Sequence, residues 1–432
     1  MWADGGDRGP DDVGEGAAQS GAERGRHVFA AWPEREELAR AEEIGAQGLE
    51  AWLRERLGEA DDGCLRAVLL SYDAGRLLER LPATAVEDPR LPDVVVATFA
   101  AWVSAPGPQG PWRLWARDEA AAMRLEAWLL ADAEAASSGA AQPPGRLRSS
   151  MDRARHRAAV DDVLAGIRAG DLYQANVARR LEAPMAPQLT PRLYAALRRE
   201  TPACFGALWA LQPGVWLASA SPECLLTWDA GSREMHSFPI KGTRPRGENA
   251  QSDLGLAAEL MADPKDAAEH VMIVDLVRND LGRVAVPGSV EVVALAGLQS
   301  LPTVHHLVSD VRAVARPGVD LAAALVALFP GGSITGAPKI AAMCRIERVE
   351  GLRRGFYTGS FGLVWPGGDA VFDILIRTCV LADGRLFYQT GGGIVADSDP
   401  EREWEETEHK AAALERALGR LSAEGPPRPP RA

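Results

Sequence analysis

Pro239-Ile240-Lys241-Gly242-Thr243-Arg244-Pro245-Arg246-Gly247 is the densest chemical signal in the chain. One lysine follows an apolar Pro-Ile pair and precedes glycine, threonine and two arginines. Glycine lets a backbone approach a ligand closely, and the prolines stiffen the segment on either side. Two guanidiniums make a landing site for carboxylate or phosphate oxygens. A lysine amine becomes a nucleophile where its surroundings favour the uncharged form. A basic surface turn would have the same composition. Under either reading, a run this rich in Gly and Pro between two β-rich runs is expected to be a loop.

Composition narrows the classes. The chain has 432 residues, which at about 150 residues per domain suggests two to three domains, although large α/β domains break that prior. A hydrophobic content of 47% supports a sizeable core. The net charge of −13 and pI near 5.2 disfavour nucleic acid and anionic membranes as partners. An anionic small substrate would need a local basic pocket or a metal. Cys64, Cys204, Cys224, Cys344 and Cys379 are scattered without a CxxC pair, which argues against a zinc site or disulfide framework and fits a reducing compartment. There is no apolar run of membrane-spanning length and no signal-peptide pattern, so a cytoplasmic location is expected.

Residues 1–25 are rich in Gly, Asp, Ala and Glu without hydrophobic period and are expected to form a disordered tail. Residues 26–136 form the N-terminal part, with β-rich runs over 67–72 and 93–103 and an Ala-rich helix over 118–136. Residues 137–150, interrupted by Gly139 and Pro143-Pro144-Gly145, read as a linker. The main region is 151–424. It opens with a helical period from Met151 to a cap at Gly170 and a strand-like run over 171–180, then alternates β-rich runs with amphipathic helices. No fixed-period repeat is present. Residues 425–432 are a Pro-rich tail.

Glu223 lies eighteen residues before Lys241. Two strands joined by a hairpin near Trp228-Asp229-Ala230-Gly231 would bring the two together. A carboxylate beside a lysine is an acid/base pair when buried and a plain salt bridge when exposed; the residues alone leave both open. Asp263-Pro264 opens a helix in which Glu269 shares a face with Met272, Ile273 and Leu276. A carboxylate there is costly unless paired or metal-bound, or it is simply favoured by the macrodipole. Asp399-Pro400 caps the last helix. Glu403, Glu406 and Lys410 fall on one face that continues into Ala413, Leu414, Ala417 and Leu421, so Glu406 and Lys410 are expected to point inward, unless they form an ordinary i, i+4 surface pair. Pro330 to Lys339 is glycine-rich but lacks Gly-Lys-Ser/Thr, which excludes a nucleotide P-loop. Gly391-Gly392-Gly393 is a glycine-rich turn whose amides would meet a carboxylate. His306, Tyr357 and Arg377 are a possible pocket set or ordinary structural residues.

Together these blocks resemble the chorismate-binding enzymes over roughly residues 60 to 420. The carriers are PIKGTRPRG at 239–247, the run Glu269 to Gly282, PGGSITGAPK at 330–339, Tyr357 in GFYTGSFG and Arg377 in IRT. Asp266 departs from the family's usual Glu. The lysine form resembles component I of aminodeoxychorismate synthase, whereas anthranilate synthases usually show alanine there. Gln174 and Asn176 resemble the ammonia-using branch, in contrast to isochorismate-forming relatives with a water-activating lysine near Gln174. Leu77-Leu78-Glu79-Arg80 lacks the serine of the tryptophan-feedback segment.

The resemblance implies an α+β fold: two facing, mainly antiparallel β-sheets with helices outside and the site between them. It implies amination of chorismate to 4-amino-4-deoxychorismate on the route to 4-aminobenzoate and folate. Lys241 would be the nucleophile and Glu223 the acid/base. Thr243, His306, Thr335, Tyr357, Arg377, Gly391, Gly392, Gly393 and Lys410 would bind substrate. Glu269 and Glu406 would hold Mg²⁺, with Glu403 acting through water. Ammonia would come from a separate glutamine amidotransferase subunit, since no glutaminase motif is found. Anthranilate synthase component I, a 2-amino-2-deoxyisochorismate synthase and a non-catalytic glutaminase-activating subunit remain alternatives.

Overall fold

The computed structural model describes residues 2–4, 27–58, 62–106, 110–130 and 142–423. Among these, the strands form one sheet of eleven and one of ten, built from antiparallel ladders. The strand Leu65–Leu70 shows why they stack. Leu65, Ala67 and Leu69 enter the core between the sheets, where they join Trp209, Leu217 and Phe387 of the other sheet. Val68 and Leu70 point the other way into a second core under helices. The period of two thus serves two layers at once.

The helices lie outside. Pro264–Gly282 and Leu321–Leu328 cover the ten-stranded sheet through Val274, Val277, Leu281, Leu325 and Leu328. Thr190–Glu200 and Pro400–Ala423 cover the eleven-stranded sheet through Leu193, Leu197, Leu414, Ala417 and Leu421. Burying one such leucine contributes about 1.5–3 kcal/mol. Helix Arg153–Ala169 starts on Asp152, whose side chain accepts from the Arg155 amide, and stops at left-handed Gly170. It packs Val160, Val163 and Leu164 on Ala175 and Val177 of the strand Gln174–Pro184.

The expected fold class holds, and the N-terminal region joins both sheets. Several boundaries differ. Ile240–Pro245 is a strand paired with Val304–Val314, not a loop. Gly242, at φ +78°, absorbs a register shift between Lys241 and Thr243, and Pro245 falls at the strand's end where a missing N–H costs little. The run 93–103 is two strands, Val94–Phe99 and Ala101–Ala105, in different sheets, so the chain crosses the sandwich at Ala100. Within the expected N-terminal tail, Trp2–Asp4 is a strand between His27–Phe29 and Phe205–Gln212; residues 5–25 lie outside the described set. In the expected linker, Arg148–Ser149 pairs with Glu182 and Leu181, and 137–141 lie outside the described residues, as do 424–432. The helix expected over 118–136 is described as Glu119–Leu130.

Candidate active site

The strands Cys224–Trp228 and Glu234–Phe238 form the expected hairpin, and the chain returns through Pro239 into Ile240–Pro245. That return sets Glu223 beside Ile240, whose amide donates to Glu223 Oε1 at 3.4 Å. Glu223 is buried. Burial pushes its carboxyl up, while the Lys241 charge pulls it back. A raised carboxyl is a better proton donor near neutral pH.

Lys241 belongs to the ten-stranded sheet but reaches the other one. A Cβ placed on Gly393 would lie 3.3 Å from Lys241 Nζ and 2.9 Å from Gln174 Nε2. Only glycine leaves that space. Gln174 is fully buried, and neither end of its carboxamide finds a hydrogen-bond partner among the described residues. Asn176 Oδ1, two residues along the same strand, is likewise unpartnered. Gly391, Gly392 and Gly393 lie in the strand Arg385–Ile394, paired with Ala178, Val177 and Asn176, rather than in a turn. Alternate amides of an antiparallel strand point at the partner, so not all three are free for a ligand.

On the next strand, His306 Nδ1 meets Thr243 Oγ1 at 2.8 Å. Burial and the Arg377 charge lower the imidazole to about 4, so it is neutral at physiological pH. Its Nε2 finds no partner among the described residues. Arg377 adopts φ +52°, unusual for a residue with a Cβ. Its Nη1 donates to Thr201 Oγ1 at 3.0 Å, and burial pulls its pKa down with no carboxylate among the charges acting on it. Tyr357 is buried with its ring 5.6 Å from the Arg354 guanidinium. Thr335 is buried and donates to the carbonyl of Gly331 at 2.8 Å, so its hydroxyl holds its own turn.

Two helices bring carboxylates to the opposite wall. Asp263 accepts from the Lys265 and Asp266 amides and starts Pro264–Gly282 as expected, which carries Glu269. Asp399 accepts from the Glu401 and Arg402 amides at the head of Pro400–Ala423, which carries Glu403 and Glu406. A Cβ on Gly392 would lie 2.9 Å from Glu403 Oε2 and 3.3 Å from Glu406 Oε1. Glu403 is the buried member: its Oε1 accepts from Ser398 at 2.6 Å and its Oε2 finds no partner among the described residues. Glu406 and Lys410 do not turn into the core. Their side chains are 46% and 48% exposed, because the helix face opens onto the cleft before it meets the core at Ala411. Lys410 Nζ donates to Glu406 at 2.5 Å and to the Gly391 carbonyl at 2.8 Å. Burial pushes Glu269 and Glu403 up and the Glu406 charge adds to both; Lys410 holds Glu406 down.

These donors are all carboxylate oxygens, which suits a hard divalent cation such as Mg²⁺. The buried, unpartnered Glu403 Oε2 is a group that a cation would satisfy. Among the described residues no three His, Cys, Asp or Glu side chains form a ready-made metal cage, so water and substrate oxygens would have to complete the coordination.

Sequence reasoning missed three residues here. Lys265 Nζ lies 3.7 Å from Glu269 and 4.0 Å from Glu403; its i, i+4 spacing to Glu269 was the available signal. Ser333 flanks Glu223. Arg354 is buried and reaches Glu350, the carbonyls of Ile334 and Asn176, and the Thr358 hydroxyl. Its i, i+4 spacing to Glu350 was the local signal; its bonds to Ile334 and Asn176 had none.

The chorismate binding enzyme model matches residues 11–416. Anthranilate synthase component 1 1 of Haloarcula marismortui is 43% identical over 374 residues, covering 81% of this chain and 76% of that relative. Aminodeoxychorismate synthase component 1 of Salmonella typhimurium is 38% identical over 347 residues, covering 78% and 73%. The crystal structure of anthranilate synthase component I from Streptococcus pneumoniae TIGR4 superposes with a TM-score of 0.78 at 25% identity, over 90% of this chain and 91% of that one. Among the described residues no helix is long and apolar enough to cross a membrane.

Proposed function

The chain belongs to the chorismate-binding enzyme family, and within it we propose that it aminates chorismate at C4 to give 4-amino-4-deoxychorismate. At the coarser level it is a chorismate-utilising enzyme of the anthranilate synthase and aminodeoxychorismate synthase group. The finer reading rests on one observation: Lys241 spans the cleft to Gly393 and Gln174, with buried Glu223 beside the start of its strand. The Lys241 charge also acts on the carboxylates of Glu223, Glu269 and Glu406; in the proposed reaction its amine is the nucleophile.

In the proposed reaction the Lys241 amine attacks C2 of the ring as the C4 hydroxyl leaves. The Glu223 carboxyl protonates that hydroxyl, which departs as water. Ammonia then adds at C4 and expels the lysine. The covalent route divides one hard displacement into two easier steps. Arg377, with no carboxylate acting on it, would pair with a substrate carboxylate. Neutral His306 would orient it from the Thr243 side. Glu269, Glu403 and Glu406 would hold Mg²⁺, which when bound would neutralise substrate carboxylate charge. Ammonia would be supplied by a separate glutamine amidotransferase subunit, with free ammonium as a substitute in vitro.

A second reading, anthranilate synthase component I, is favoured by the Haloarcula relative, which is more alike than the Salmonella aminodeoxychorismate synthase. Lys241 weighs against it, since anthranilate synthases usually carry alanine there. The test is adduct trapping. The protein is incubated with chorismate and Mg²⁺ without ammonium, quenched and digested. A mass equal to chorismate minus water on the Lys241 peptide supports the reading; a turnover-competent enzyme with an unmodified Lys241 peptide overturns it.

A further inference from the structure

Lys265 is the second residue of the helix Pro264–Gly282. A cation in the first turn opposes the helix dipole. Lysine placed before glutamate at i, i+4 is also the weaker order for a helix pair. The helix itself therefore gives no reason for this ammonium. The surroundings do: it lies 3.7 Å from Glu269 on its own helix and 4.0 Å from Glu403 on the last helix. Its own side chain is 50% exposed, while those of Glu269 and Glu403 are 14% and 5% exposed. A half-buried and a buried carboxylate from different helices thus share one solvent-reaching cation.

We infer that Lys265 is a tethered counter-cation for the carboxylate set. It neutralises Glu269 and Glu403 when no divalent ion is bound and competes with that ion for them. The inference rests on the proposal that these carboxylates hold Mg²⁺. Removing the ammonium leaves Glu403 without this cation and Glu269 with the Lys241 charge, so an ion can satisfy both without displacing Lys265. Its half-exposed stem lets it swing to solvent without disturbing the core.

The experiment is calorimetric titration of Mg²⁺ into the full chain without chorismate, for wild type, Lys265→Met and Lys265→Arg. Each is also melted in EDTA and in excess Mg²⁺. Lys265→Met is expected to bind Mg²⁺ about tenfold more tightly, the scale of one charge a few Å away in a half-exposed site. In EDTA it should melt below wild type, and Mg²⁺ should raise its melting temperature more. Lys265→Arg should behave as wild type. Equal or weaker Mg²⁺ binding by Lys265→Met, with the other two proteins binding normally, would overturn the role of Lys265 alone. No Mg²⁺ binding by any of the three, with no Mg²⁺ effect on melting, would overturn the metal reading and this inference with it.

Discussion

The segment around Thr84–Asp93 and the cleft around Lys241 both concentrate charged and polar side chains, but they treat them differently. In the first, each guanidinium faces a carboxylate. Arg40 meets Glu87 at 2.5 Å, Arg385 meets Asp88 at 2.6 Å, and Arg180 meets Asp88 at 3.1 Å. Arg76 pairs with Glu347, which also accepts from the Thr84 and Ala85 amides. In the cleft, both ends of Gln174, Asn176 Oδ1, His306 Nε2 and Glu403 Oε2 find no partner among the described residues. An unmade buried hydrogen bond costs about 1–3 kcal/mol. The first region spends its polar groups on holding the fold, with Arg180 Nε and Arg353 Nε the exceptions that find no partner among the described residues. The second keeps them open toward a shared space, as expected where a ligand completes the pairing.

Substitutions in the two regions should therefore diverge. The largest effect is expected from Lys241→Ala, which should lower turnover of chorismate by about 10³-fold or more, about 4 kcal/mol of barrier. Denaturant unfolding should change little, so a large stability loss would move Lys241 into the structural class. Next is Arg76→Met, which leaves Glu347 buried without its cation and should cost about 3 kcal/mol of stability. The kcat of the folded fraction should be unchanged.

Gln174→Met reverses the sign. It replaces an unpartnered buried amide with an apolar side chain of similar length, which should stabilise the chain by about 1 kcal/mol while lowering amination. Destabilisation would mean that the Gln174 amide already has a partner and that the contrast between the regions is wrong. The smallest effect is a pH slope. His306 sits at about 4 against an ordinary 6.5. The stability it contributes is full above about 6.5 and is lost as pH falls toward about 4. His306→Gln should flatten acid unfolding in that window, and only partly, because burial depresses His156 to about 4 as well.

The same contrast explains what was legible in the sequence. Local rules worked where local groups decide. Asp263, Asp399 and Gly170 set helix ends as expected, and the hairpin after Glu223 brought it to Lys241. Glu403 is buried as its place on the helix face suggests, whereas Glu406 is not. What failed was set by distant partners. Ile240–Pro245 is a strand because Val304–Val314 pairs with it, which overrides its Gly and Pro content. The break at Ala100 follows from the need to supply both sheets. Glu406 and Lys410 stay half exposed because the cleft, not the core, lies opposite them. The positive φ of Arg377 and the bonds of Arg354 to the Ile334 and Asn176 carbonyls are products of tertiary packing that no spacing rule reports. The Lys241–Gly393 approach joins two sheets, and only the assembled sandwich reveals it.

The most direct test is product identification. The purified chain is incubated with chorismate, Mg²⁺ and ammonium at mildly alkaline pH, beside Lys241→Ala, and the products are read by mass spectrometry and chromatography against standards. The account predicts 4-amino-4-deoxychorismate from the wild type and a sharp loss in the variant. Anthranilate from the wild type, or undiminished 4-amino-4-deoxychorismate from Lys241→Ala, would contradict it.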